Sequence, residues 1–165
     1  MVIIVMGVTA SGKSTLMHAL AERLGWSEVE ADALHSKANI AKMAQGIPLD
    51  DADRWPWLDA VAHEISRRAG DGESLVVACS ALKRAYRDRL RAAGPRCLFV
   101  YLEADLPFVL SRLKHRTEHF MPASLAKSQF DTLEPPDPDE PAITVPAGQP
   151  IELSVAQVVS TARDR

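Results

Sequence analysis

Cysteine is scarce in this chain: Cys79 and Cys97 are the only two in 165 residues. Both sit in apolar, β-branched runs and read as reduced core thiols, so a disulfide framework is excluded and a cytosolic chain is expected. Long hydrophobic runs are missing as well. The apolar opening from Val2 to Met6 ends at a glycine. It is too short for the core of a secretion signal and far short of the roughly 20 residues a membrane span needs. Basic excess is also absent. Nineteen Lys and Arg stand against 22 Asp and Glu, a net charge of -3, which argues against a general binder of nucleic acid or anionic membrane but leaves room for a local basic pocket. Low apolar content, the mark of disorder, does not apply, since hydrophobic residues make up 47% of the chain. No repeat and no linker interrupts it, so residues 1–165 are expected to form one soluble domain.

What is present alternates short buried strands with longer amphipathic segments. Strands are expected at Val2 to Met6, Ser27 to Ala31, Ser74 to Cys79, Cys97 to Leu102 and Ala142 to Val145. Helices are expected at Lys13 to Leu24, Ser36 to Gln45, from an Asp53 cap to Ala69, Lys83 to Ala93, Leu106 to His115, Ala123 to Leu133, and from Ser154 onward. The proline- and acid-rich stretch Glu134 to Pro141 suits neither helix nor central strand and is expected to cross the surface. Strands separated by helices throughout imply a three-layer α/β fold with a parallel sheet and right-handed crossovers.

Gly7-Val8-Thr9-Ala10-Ser11-Gly12-Lys13-Ser14 matches G-x-x-x-x-G-K-[ST], with a buried strand before it and a helix after it. Glycine at positions 7 and 12 permits backbone angles and close approaches that a Cβ would block. The amides of this cradle, from Gly7 through Thr9, Ala10, Ser11 and Gly12 to Ser14 and Thr15, can converge on phosphate oxygens at the positive end of a helix. Lys13 brings a charge to the β- and γ-phosphates, and the Ser14 hydroxyl is the expected Mg²⁺ ligand. The single asparagine, Asn39, lies in Asn39-Ile40-Ala41-Lys42, so the N-K-x-D pattern that reads guanine is absent and ATP is the expected nucleotide.

The remaining polar residues gather at the ends of strands, where an open α/β sheet places its ligand crevice. Asp32 could orient a hydroxyl or take its proton, hold Mg²⁺ through water, or simply cap a helix; His35 alone reads equally as a capping or core residue and as a ligand. Arg54, beside Trp55-Pro56-Trp57, is placed for bidentate carboxylate binding. Lys83 and Arg87 lie where a helix begins, a position that disfavours cations unless an anion is supplied. The cation-dense run Arg112 to Pro122 reads as a lid that neutralises charge on the transferred group and excludes water.

These segments together resemble the gluconate kinases of the P-loop kinase class. The resemblance is carried by Gly7 to Ser14, Asp32-Ala33-Leu34-His35 with Asn39 to Met43, and Gly46-Ile47-Pro48-Leu49-Asp50-Asp51-Ala52-Asp53-Arg54 with Pro56-Trp57-Leu58. Cys79 to Lys83 with Tyr86-Arg87-Asp88, Arg112-Leu113 with Arg116, His119 to Pro122, and Ser128-Gln129-Phe130 complete the set. It implies ATP- and Mg²⁺-dependent phosphorylation of D-gluconate to 6-phosphogluconate by a cytoplasmic homodimer, on a five-stranded parallel sheet of order 2-3-1-4-5 with a lid near residues 116–123. By that similarity Asp32, His35, Arg54, Lys83, Arg87, His119 and Gln129 face the sugar acid, Arg116 belongs to the lid, and Arg112 stacks near the adenine. Two departures stand out: Ala10 replaces a common glycine, and Glu30-Ala31-Asp32 replaces Asp-Gly-Asp. A kinase for another small polyhydroxy acid, such as shikimate, and a non-catalytic nucleotide sensor are the competing readings.

Overall fold

The computed structural model describes residues 1–94, 96–116 and 122–165. Its five strands are β1 (Val2–Met6), β2 (Ser27–Glu30), β3 (Leu75–Ala78), β4 (Cys97–Glu103) and β5 (Ala142–Pro146). Seven α-helices accompany them among the described residues, α1 (Lys13–Leu24), α2 (Lys37–Ala44), α3 (Asp51–Gly70), α4 (Arg84–Arg91), α5 (Leu106–Lys114), α6 (Ala123–Thr132) and α7 (Ile151–Arg163), with one 3₁₀ turn, Ala31–Leu34, after β2. The strands pair in parallel in the order β2-β3-β1-β4-β5, as the resemblance implied.

Strand β1 is central because all of its residues are apolar and it is flanked on both sides. Its side chains alternate between two cores. Val2, Ile4 and Met6 pack with Trp57, Leu58, Val61 and Ile65 of α3 and with Tyr86 and Leu90 of α4. Ile3 and Val5 pack with Leu16, Met17 and Leu20 of α1 and Val158 and Val159 of α7. Burying one such side chain contributes about 1.5–3 kcal/mol, so the two helical layers are fixed to the sheet chiefly by this pattern. No described helix is long and apolar enough to cross a membrane.

Helices α2 and α4 each start one residue later than expected, with Ser36 and Lys83 as caps, and two further helix starts differ by more. Helix α3 begins at Asp51, with Asp50 as its cap: the Asp50 side chain accepts from the Asp53 amide at 2.8 Å and Asp53 returns the bond to the Asp50 amide at 3.1 Å. Reciprocal capping makes Asp53 the third residue of the helix rather than its cap. Helix α7 starts at Ile151, not Ser154, because Pro150 supplies a fixed φ at its entry. The Glu134 to Pro141 stretch does cross without regular structure, but it is tied down. Arg84 binds Asp137 and Asp139 at the surface, and Arg87 binds Glu140 in the interior.

Candidate active site

The turn after β1 is held open by its glycines. Gly7 has φ +142°, and a Cβ there would lie 2.9 Å from the Leu102 carbonyl and 3.2 Å from the Ser11 hydroxyl. Gly12 has φ +103°, and Ala10, the residue standing where a glycine is common, takes φ +57°. A left-handed alanine costs about 1–2 kcal/mol, strain that persists only because the surrounding turn dictates it. The amides of Gly12, Lys13, Ser14 and Thr15 find no acceptor among the described residues, and the buried Ser11 hydroxyl has no partner either. A concave row of unpaired donors at a helix start is what phosphate oxygens satisfy. Lys13 donates to the Val8 carbonyl at 2.8 Å. Burial lowers its pKa, the Asp32 and Glu30 charges oppose that shift, and Arg116 adds to it.

Ser14 donates to a carboxylate oxygen of Glu30 at 2.5 Å. Because a carboxylate can only accept, the serine hydrogen is committed there and its lone pairs are left for a cation. A hydroxyl and a hard carboxylate beside a phosphate cradle suit Mg²⁺, which usually takes one or two protein oxygens and keeps water and phosphate for the rest. Glu30 was noted only as a departure, standing where the resembled pattern has an aspartate, and was not assigned a role beside the metal.

A crevice opens beside the cradle at the C-terminal ends of β1, β2 and β3. Lys13, Asp32, His35, Arg54, Trp57 and Gln129 line it. Gln129 reaches from α6 to accept a hydrogen bond from the Thr9 amide at 2.6 Å. His35 lies flat against Trp57, with ring centroids 4.2 Å apart, and Trp57 donates its indole N–H to the Ala31 carbonyl at 2.7 Å. The tryptophan therefore packs and also walls the crevice. Burial lowers the His35 pKa despite the nearby Asp32 charge. Arg54 is buried, and the one hydrogen bond its side chain makes among the described residues is to the Tyr86 hydroxyl at 3.4 Å. That hydroxyl donates in turn to Asp51.

Known proteins resemble this chain in sequence and fold. A family model described as an AAA domain matches residues 2–136. A gluconokinase of Gluconobacter oxydans is 48% identical over 144 residues, spanning 87% of this chain and 80% of the relative. The chain belongs to the gluconokinase family. Two solved structures agree with that membership. A gluconokinase from Sinorhizobium meliloti superposes with a TM-score of 0.87 at 45% identity, covering 98% of this chain and 91% of its own. An unliganded sugar kinase from a Janibacter species gives 0.93 at 44% identity, covering 98% and 94%.

Within this gluconokinase frame two expected substrate contacts are corrected. Arg87 does not face the crevice: its guanidinium is buried and grips Glu140 through two hydrogen bonds of 2.6 and 2.8 Å. The remaining Nη1 donates to the carbonyls of Ala81, Leu82 and Glu134 at 3.2, 3.3 and 2.9 Å. The anion that its helix start awaited is the protein's own. Lys83 likewise binds Asp51 at 3.0 Å, with its ammonium 5.7 Å over the Tyr86 ring, and is not among the residues lining the crevice. His119 and most of the expected lid lie outside the described residues. Arg112 lies with its guanidinium 5.5 Å over the Phe108 ring, in a second cleft with Gly12, Thr15, Pro146, Gly148 and Gln149. The 146–149 loop had no motif to announce it; only the sheet brings it there.

Proposed function

We propose that this chain phosphorylates D-gluconate at its far hydroxyl, giving 6-phosphogluconate, with ATP as donor. The observation that carries the reading is the meeting of Lys13, Asp32, His35 and Arg54 in one crevice beside a row of unpaired cradle amides. Bound ATP supplies the transferable phosphoryl group, and Mg²⁺ neutralises part of its charge. The free amides of Gly12, Lys13, Ser14 and Thr15 and the Lys13 ammonium hold the phosphates, whereas the Gly7, Thr9 and Ser11 amides are already taken by Ser80, Gln129 and Val8. Ser14, backed by Glu30, is the protein's ligand for the metal. The cleft at Arg112 takes the nucleoside end.

Arg54 holds the sugar acid's carboxylate, because a guanidinium with unfilled donors in a mostly buried site gains from a bidentate anion. Asp32 orients the attacking hydroxyl and accepts its proton as the new P–O bond forms and the γ-phosphorus–oxygen bond breaks, leaving ADP. Arg116 offsets charge on the transferring group, and its own charge already presses on the Lys13 pKa. Positioning and neutralisation supply most of the acceleration. On the family's pattern the enzyme works as a cytoplasmic homodimer with a lid near residues 116–123.

The test is ADP release across a panel of sugar acids. Turnover confined to gluconate supports the assignment; turnover only with another acid moves the substrate, and none with any acid overturns the kinase reading. Lys13→Ala should lower kcat by roughly 10²-fold or more, as loss of one transition-state charge contact does. An unchanged kcat would remove Lys13 from that role.

A further inference from the structure

Asn39, the chain's single asparagine, is buried on α2, four residues beyond His35 and outside the crevice lining. Its backbone amide donates to the Ser36 cap at 3.1 Å, which fixes the residue. Its side-chain nitrogen Nδ2 faces two groups at once: the Asp53 carbonyl of α3 at 3.0 Å and Nδ1 of His35 at 3.2 Å. A carbonyl oxygen can only accept, so the atom against Asp53 must be the NH₂ and not the amide oxygen. The reversed amide would set two acceptors against each other. The second N–H of that same group then points at His35 Nδ1, which must present a lone pair. The imidazole is thereby neutral, with its hydrogen on Nε2.

Nε2 faces Asp32, and the two are 3.9 Å apart. That is too long for a direct hydrogen bond. It leaves room for one oxygen atom between a fixed donor, His35 Nε2–H, and an acceptor, the largely exposed Asp32 carboxylate. An alcohol is the group that can accept from one and donate to the other. Trp57 stacked on the ring holds its plane, and Asn39 holds its tautomer.

We propose that Asn39 is a positioning residue that locks His35 as a neutral Nε2–H donor, so that His35 and Asp32 together clamp a hydroxyl of the substrate. The clamp discriminates by chemistry. A carbonyl at the clamped carbon could accept from His35 but could not donate to Asp32, so an oxidised sugar acid is disfavoured against the polyol. This rests on the sugar-acid reading above and goes further by assigning a hydrogen-bond polarity to one point of the site.

Nitrogen NMR on the isotopically labelled full chain, with His35→Gln to assign the signals, tests the lock without any ligand. The expected wild-type spectrum has His35 Nε2 protonated and Nδ1 bare. A protonated Nδ1 overturns the proposal. In Asn39→Ala the signals should move toward the mixed tautomers of a free imidazole, and KM for gluconate should rise about tenfold with KM for ATP unchanged. A variant that keeps the pure Nε2–H form refutes the lock. A shift in both KM values together marks a merely structural role and refutes it too. If the wild type phosphorylates no sugar acid, the substrate reading fails, while the wild-type spectrum still decides the role of Asn39.

Discussion

Arg54 and Arg87 are both buried, both helical and both flanked by motif residues, yet they occupy opposite situations. Arg87 has each guanidinium nitrogen engaged, with Glu140 and three carbonyls as partners. Arg54 has one 3.4 Å bond to a tyrosine hydroxyl and opens onto the crevice. Burying a charge is costly unless it is compensated. Where the fold supplies the compensation, the arginine is part of the scaffold; where it does not, the missing partner is a ligand. Unfilled hydrogen-bond capacity, more than burial or sequence context, separates a binding arginine from a structural one.

The largest effect should come from breaking the closed pair. Arg87→Met leaves Glu140 buried without a counter-charge and should cost about 3–5 kcal/mol in denaturant unfolding. Arg87→Met combined with Glu140→Leu should recover part of that loss. A single variant as stable as the wild type would show that the pair does not hold the Glu134 to Pro141 crossing.

The open arginine should behave in the reverse way. Arg54→Ala should raise KM for gluconate by roughly 30-fold or more, the equivalent of about 2 kcal/mol for a lost charged contact, with little change in unfolding midpoint. If only KM for ATP moved, Arg54 would not be the carboxylate anchor. Next in size is Tyr86→Phe, which keeps the ring packed against Trp55 but deletes the hydroxyl linking Arg54 to Asp51. Losing that one link should raise KM for gluconate several-fold, about 1 kcal/mol.

The smallest effect is one of pH. The Arg87 guanidinium holds the Glu140 carboxyl below its ordinary 4.5. The unfolded chain therefore binds more protons than the folded one in acid, and stability rises with pH there. The contribution is present above about pH 4.5 and is lost as pH falls through the lower folded value. Stability curves of wild type and Arg87→Met should converge on acidification through that window, and parallel curves would contradict the assignment.

The cradle was legible because its requirements are local. Gly7 and Gly12 need positive φ and Lys13 must follow at a fixed spacing, so the motif encodes its own geometry. Strand β1 was equally plain, since five consecutive buried apolar residues suit only a covered parallel strand. Asp32, His35 and Arg54 were found as candidates and meet in one crevice. Lys83 and Arg87 were misread because the carboxylates that claim them are remote in the chain. Asp51 lies 32 residues from Lys83 and Glu140 lies 53 from Arg87. Helix-start electrostatics signalled correctly that anions were needed there, but not whose they would be.

The amino-acid order alone determined the phosphate-binding turn, the alternation that builds a parallel sheet, and the residue types available to the crevice, because each depends on neighbours within a few positions. Folding decided which charges were left with spare capacity, that Glu30 would meet Ser14, and that Asn39 would face both Asp53 and His35. Those outcomes depend on which distant acceptor the packed layers place within reach of a donor, and no stretch of sequence carries that by itself.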